Sequence, residues 1–530
     1  MQNYGKWVST RETPQSQPIP GCDMIKNAAG GFVFEADDWH RFNKFVVLGS
    51  AGGTYYTDAK DLTLQNADVV MRCLKENGPR VVAQLLEISE SGRAPKVDPC
   101  LFALAMASSE SCGADLETRK AAFEVLPRIA RIPTHWMMYL EYVKAFRGRG
   151  RGLNSAIKRI YLEKDVDLLA YQMVKYRSRV GWTHRDILRT VRPKTSDAKR
   201  NSLFQWAVHP EDYEGGITII DAFKSARVAS VQELITLIER YGMTREMIPE
   251  AWLSSPEVWR ALLQQMPLWA MTRNLGKMTS LGLFTSGWSE TTSIVTDRLR
   301  DAALVKAARL HPWTVLMALL TYRSGHGQRG SLQWEPSVEI VDALDDCFYT
   351  AFENVVPSGK RIIVAVDQSG SMGFGGCTSP SQVPLLTAAA AMAMMTARTE
   401  YNYTILGFNM KAWHINVTKR DRLDEVIRKL TSGGGTDYTQ PIQWAIDNDV
   451  KDVEAFVIFG DEETWAGNQH LCQIMKKYRE ISGLPTRLVV CGLCGNQGSV
   501  TDPEDSLSMN VVGLDAAAPR LIADFVRGDI

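Results

Sequence analysis

The sequence predicts a mainly α-helical protein that ends in an α/β domain built on a doubly wound parallel sheet. Three observations carry this. At 530 residues the chain exceeds one ordinary core and needs two or more domains. Up to about residue 355, apolar residues recur three and four apart, the spacing of a buried helix face. After that point, short apolar runs alternate with amphipathic stretches, as in parallel strands joined by crossover helices.

In chain order, the helical signals are Ala67-DVVMRCLKEN, Arg80-VVAQLLEISE, Pro99-CLFALAMASS, Thr118-RKAAFEVLPRIA and Val231-QELITLIERYG. Gly, Pro and Ser punctuate them. Helices in succession without strands suggest stacked antiparallel pairs, an α-solenoid of HEAT type, with an irregular helical bundle as the competing arrangement. No repeat period is sharp enough to choose by itself. In the last part, the expected strands are Arg361–Val366, Tyr403–Phe408, Ala455–Phe459, Arg487–Cys491 and Met509–Val512. Helices are expected near Leu385–Arg398, Leu423–Leu430, Pro441–Asp447, Gln469–Ile481 and Ala517–Val526. The reading therefore divides the chain into residues 1–355 and 361–530.

The stretch Arg361-IIVAV-Asp367-QSGSM runs a buried strand straight into Asp-x-Ser-x-Ser. Ligands of open α/β sheets gather beyond the carboxyl ends of such strands. Asp367, Ser369 and Ser371 offer hard oxygens suited to Mg²⁺ or Mn²⁺. Two later elements match: Gly433-Gly-Gly-Thr436-Asp437 puts a hydroxyl after a Gly-rich loop, and Glu454-AFVIFG-Asp461 ends a second strand in a carboxylate. The bland alternative is a capped helix start and an ordinary turn. Together these residues resemble the metal-ion-dependent adhesion site of von Willebrand factor A domains, which implies a divalent-metal site at Asp367, Ser369, Ser371, Thr436 and Asp461.

Hydrophobic content of 45% and charged content of 23% are those of a globular protein. Acidic and basic residues balance at 60 each, so the distribution is what informs. Lys144–Arg200 holds 16 Lys/Arg against 5 Asp/Glu, whereas residues 360–530 hold 16 against 20. A polyanion would meet the first part. No apolar run approaches the roughly 20 residues of a membrane span, and the polar, Pro-rich start is unlike a signal peptide. Nine cysteines without framework spacing read as free thiols in a reducing compartment, and Cys491-GL-Cys494 has no second pair to complete a zinc site.

Two stretches make up the basic segment. In Lys144-AFRGRGRGLNSAIKR, Arg147, Arg149 and Arg151 alternate with glycine, leaving guanidinium groups free to fork onto phosphates. In Lys175-YRSRVGWTHRDILRTVRPK, Thr183 and Asp186 form an expected capping box that opens a helix. His184 and Arg185 would lie in its first turn, where cations are unfavourable unless an anion binds. Arg177, Arg179 and Arg189 extend the surface, and Tyr176 and Trp182 offer stacking faces for unpaired bases. A solvated basic face with core aromatics is the alternative.

With Met266-PLWAMTRNLGKM and His311-PWTVLMALLTYRSGHG, these passages resemble the Ro autoantigen family, the TROVE-domain RNA-binding proteins, over nearly the whole chain. The resemblance implies a ring of HEAT-like helical repeats closed by a von Willebrand A-like domain. It implies binding of small noncoding Y RNAs on an outer basic surface, and of misfolded or defective small RNAs whose single-stranded ends enter a central hole. Carried over by position, it makes Lys175, Arg177, Arg179, His184 and Arg185 RNA contacts, with Arg147, Arg149 and Arg151 as neighbours. Trp269 and Trp313 read as core; Arg273 and Lys277 are undecided. A non-catalytic, monomeric RNA-binding protein of cytoplasm and nucleus is the expectation, its A domain recruiting a protein ligand through a carboxylate. The alternatives are a protein-binding scaffold and a metal-dependent ribonuclease using Asp367 and Asp461.

Overall fold

The computed structural model describes residues 12–529 except 36–37, 49–58, 92–96, 149, 285–288, 328–330, 374–382, 494–497 and 515–517. Two compact units result: a helical one from Val70 to Ala351, and a second that joins the N-terminal residues up to Val69 to everything from Phe352 onward. Residues up to Val69 therefore lie in one compact unit with the C-terminal sheet, whereas the sequence reading groups them with the helices. The reason is a short strand pairing that periodicity does not reveal. Met24–Lys26 and Phe32–Glu35 form an antiparallel pair, and Gly498–Ser499 adds to the second of them.

In the helical unit, neighbours pack as HEAT-like pairs. Asp98–Ala107 lies on Pro133–Phe146, Val231–Tyr241 on Pro256–Gln265, and Val338–Thr350 on both Glu290–Arg300 and Pro312–Arg323. Local sequence sets their ends. Ser230 and Glu233 close a capping box before Val231–Tyr241, and Gly242 ends that helix in the left-handed conformation. Thr183 and Asp186 do the same before His184–Val191, as the sequence implied. Apolar faces then supply the stability: Leu234 and Ile238, or Ile187, Leu188 and Val191, are all buried. Among the described residues no helix is long and apolar enough to cross a membrane.

In the second unit, six strands stand in the order Ser508–Val512, Arg487–Gly492, Ala455–Gly460, Ile362–Asp367, Tyr403–Phe408, Ala412–His414. The first five are parallel and the last is an antiparallel edge that the sequence reading did not include. Every side chain of Ile362–Asp367 and Ala455–Gly460 is buried, which is why both read as unbroken apolar runs. Ile363, Ala365, Phe456, Ile458 and Val490 form one side of the core with Tyr438, Ile474 and Tyr478. The chain leaves Ile362–Asp367 toward one edge and returns through Ala455–Gly460 on its other side, so the strand order reverses between these two. Val366 pairs with Phe459, which brings Asp367 and Asp461 to the same end of that switch point.

Candidate functional site

Asp367, at the last position of its strand, is fully buried. Its Oδ1 accepts from Ser369 N at 2.8 Å, while Oδ2 is buried with no hydrogen-bond partner. An orphaned carboxylate oxygen is costly and asks for a missing donor or ion. Ser369 Oγ and Ser371 Oγ lie 3.2 Å apart beyond it, Ser371 exposed. Thr436 is brought in by its loop, since Gly433 N donates to the Gln368 carbonyl at 2.8 Å and Gly370 N to the Gly434 carbonyl at 3.2 Å. Asp461 Oδ1 accepts from Glu463 N at 3.0 Å. The close approach needs Gly460, where an added Cβ would fall 2.0 Å from Tyr438 Oη and 2.9 Å from Asp367 Oδ2.

Burial, and then the charge of Asp461, push the Asp367 carboxyl well above the usual carboxylate range. Buried like charges with hydroxyl oxygens beside them form a hard-oxygen set that a divalent cation fits. The other nearby acids are engaged elsewhere. Asp437 accepts from Thr439 N, Thr439 Oγ1 and Gln440 Nε2 at 3.0, 2.6 and 2.7 Å. Glu462 accepts from Asn510 Nδ2, and Glu463 Oε2 from Ala29 N at 3.1 Å.

In the helical unit, the structure brings the two basic stretches together around a cleft of about 470 Å³. Leu140, Glu141, Val143, Lys144 and Leu153 line it from the first segment and Val180, Gly181, Trp182 and Asp186 from the second. The second wall is a hairpin in which Ser178 pairs with Thr183 and Arg179 with Trp182. Its two-residue turn needs positive φ at both positions, 45° at Val180 and 80° at Gly181. A β-branched residue there is strained, and such strain collects at functional sites. Trp182 Nε1 donates to Glu141 Oε2 at 2.9 Å.

Arg151, Arg177, Arg179, Arg185 and Arg189 are exposed, and none of them makes an ion pair among the described residues. Arg177 lies over the Phe223 ring at 5.1 Å, and burial with the charge of Arg227 lowers its pKa. Lys175, half-buried, lies over Tyr176 at 5.4 Å and Tyr171 at 5.9 Å. Arg149 falls outside the described residues.

Two of the expected contacts turn inward in this structure. Arg147 Nη1 donates to the Ser108 carbonyl at 3.0 Å and the guanidinium lies over Phe123, so this side chain ties helices together. His184 is buried, with Nδ1 2.7 Å from Tyr161 Oη and Nε2 3.1 Å from the Tyr176 carbonyl. Burial pushes its pKa down to about 4, leaving a neutral ring that holds the hairpin to the helix instead of a cation at the surface. The apolar side of a first helical turn explains both its burial and why charge reasoning misplaced it. Trp313 is core, as expected, but Trp269 is 44% exposed with Arg273 over its ring at 5.9 Å.

Against known proteins, residues 361–526 match the Ro60 vWA domain, and residues 25–219 and 238–321 match the TROVE domain. The RNA-binding protein RO60 of Deinococcus radiodurans is 36% identical over the whole of both chains. The chain belongs to the RO60 family. The Caenorhabditis elegans RNA-binding protein RO60 is 29% identical over 96% of this chain and 90% of its own length. The crystal structure of the Deinococcus radiodurans RO (RSR) protein superposes with a TM-score of 0.77 at 35% identity, covering 93% of this chain and 100% of that one.

Proposed function

We propose that this chain is a non-catalytic RNA-binding protein of small-RNA quality control. The observation that carries it is the meeting of two basic stretches around one cleft, lined by Lys144 beside Glu141 and Asp186, with five exposed arginines in the same stretches that make no ion pair among the described residues. Paired carboxylates would be expected were this an ordinary solvated face; phosphates are the partners that such forks fit. The half-buried Trp182 and the apolar walls suit an unpaired base, so the reading favours folded RNA with exposed nucleotides over uniform duplex. RNA binding by the relatives' names agrees with it. Small noncoding Y RNAs are the proposed resident ligands, and misfolded small RNAs such as 5S rRNA precursors, held by single-stranded ends, are the proposed clients.

In the second unit, Asp367, Ser369, Ser371, Thr436 and Asp461 would hold Mg²⁺ or Mn²⁺ and leave a coordination position for a carboxylate from a protein ligand. A monomer acting in cytoplasm and nucleus completes the reading. A salt titration with two RNAs tests it, one structured and one misfolded with a free single-stranded 3′ end. Salt-dependent binding of wild type, weakened in Arg177→Ala/Arg185→Ala, is the expected result. No binding of either RNA at moderate salt would sink the RNA reading and leave the protein-binding one.

A further inference from the structure

The loop that carries Asp461 does not rest on the sheet alone. The chain's first described residues are laid along it, within the same compact unit. Asn27 Nδ2 donates to the Thr464 carbonyl at 2.7 Å, while Asn27 Oδ1 accepts from Gly31 N at 2.8 Å. Ala29 N donates to Glu463 Oε2 at 3.1 Å and Gln15 N to the Gly467 carbonyl at 3.1 Å. His470 Nε2 donates to the Gln17 carbonyl at 2.9 Å, and Thr13 N donates to Gln473 Oε1 at 3.1 Å.

The tightest point is Gly31. A Cβ there would stand 2.1 Å from the Thr464 carbonyl oxygen and 2.8 Å from Trp465 Cα, so no side chain fits. From the other side, Thr436 takes hold of the same stretch. Its carbonyl accepts from Ala466 N at 3.1 Å, Trp465 N at 3.3 Å and Thr464 Oγ1 at 3.3 Å. Residues 463–467 are thus clamped between the loop of one candidate ligand and a strap from the N-terminus, starting two residues after another.

We propose that residues 13–35 are a positioning strap for the metal centre, and that divalent-cation affinity of this chain depends on them. The inference rests on reading the Asp367 cluster as a cation site. No strap residue would touch the cation. They act as outer groups that hold ligand-bearing backbone in place, so that binding need not pay the entropy of ordering it.

The test uses the full chain, with Asn27→Ala and Gly31→Val as strap variants and the exposed Lys419→Ala, outside the strap, as control. Two readouts are taken: Mn²⁺ affinity by calorimetry, and amide hydrogen exchange of residues 462–467 without metal. Faster exchange together with Mn²⁺ affinity weaker by roughly 10- to 100-fold in both variants, and neither change in the control, is expected. Asn27→Asp keeps the acceptor for Gly31 N and loses the donor to Thr464, so it should fall between; it also serves if Gly31→Val does not fold. Unchanged Mn²⁺ affinity in the Asn27 variants overturns the proposal, whether or not exchange quickens. If wild type itself binds no Mn²⁺, the cation reading is what has failed, and the strap's role in affinity falls with it.

Discussion

The two candidate sites use polar groups in opposite ways. At the end of the sheet, carboxyls are buried at strand ends and held by backbone donors, with Asp367 Oδ2 left unsatisfied. On the helical unit, cations stand in solvent on a hairpin and a helix start, while the titratable group beneath them, His184, is buried and neutral. A site of the first kind is decided by one or two atoms. The second kind is a sum of small, screened contributions. It follows that single substitutions should be catastrophic in one place and graded in the other.

The sharpest break would come from Asp367→Ala. Removing the orphaned carboxylate should lower Mn²⁺ affinity by more than about 100-fold, seen by calorimetry, with RNA affinity unchanged. Loss of both together in a folded protein would mean that the sites are not separate. Next in size, Arg185→Ala/Arg189→Ala should weaken binding of a small structured RNA by roughly 10- to 100-fold near physiological salt. The slope of log affinity against log salt should fall by about 2, one per phosphate contact, with metal binding intact.

His184→Ala separates positioning from contact. It strands Tyr161 Oη and the Tyr176 carbonyl, at a cost of about 2–3 kcal/mol to the helical unit by denaturant titration. RNA affinity should fall while the salt slope stays as in wild type; a changed slope would restore the histidine to the phosphate-binding set.

The smallest effect is a contrast in pH response. In metal-free protein, burial raises Asp367 and Asp437, and takes Glu463 to about 7. Folded values above unfolded ones mean stability that is complete below the ordinary carboxylate range and lost as pH rises through the folded values, which for Glu463 is about 7. His135, His184 and His311 are each lowered to about 4 by burial. Their contribution is complete above pH 6.5 or so and is lost as pH falls toward about 4. His470, lowered within the sheet unit, runs with the histidines. Scanning calorimetry should show Asp367→Asn removing part of the loss at rising pH, and saturating Mn²⁺ doing the same. His184→Gln should blunt the loss on acidification.

Most of the sheet unit was legible because its strands obey a simple rule. Residues buried on both faces read as unbroken apolar runs, and Ala455–Gly460 and Tyr403–Phe408 were found within a residue. The edge Ala412–His414 and the strands Met24–Lys26 and Phe32–Glu35 were not, since three or four residues, partly exposed, carry no periodicity. At the sites, residue types signalled chemistry and location on the chain, but not exposure. Arg147 and His184 lie within the right stretches and turn inward, to Ser108 in one case and to Tyr161 in the other. Trp269 turned outward against expectation, because a helix face is shared out by neighbours that a single helix does not reveal.

What the sequence by itself determined is therefore whatever depends on near neighbours: capping boxes, apolar strand cores, the Asp-x-Ser-x-Ser turn and the local excess of positive charge. Tertiary structure decided what depends on residues from tens to hundreds of positions apart. Asn27 meets Thr464, Asp367 meets Asp461 across the switch point, and two arginine-rich stretches close on one cleft. The physical reason is that local signals are written in the dihedral preferences and spacing of adjacent residues. Which side chain is buried, satisfied or left orphaned is settled only when distant segments compete for the same space.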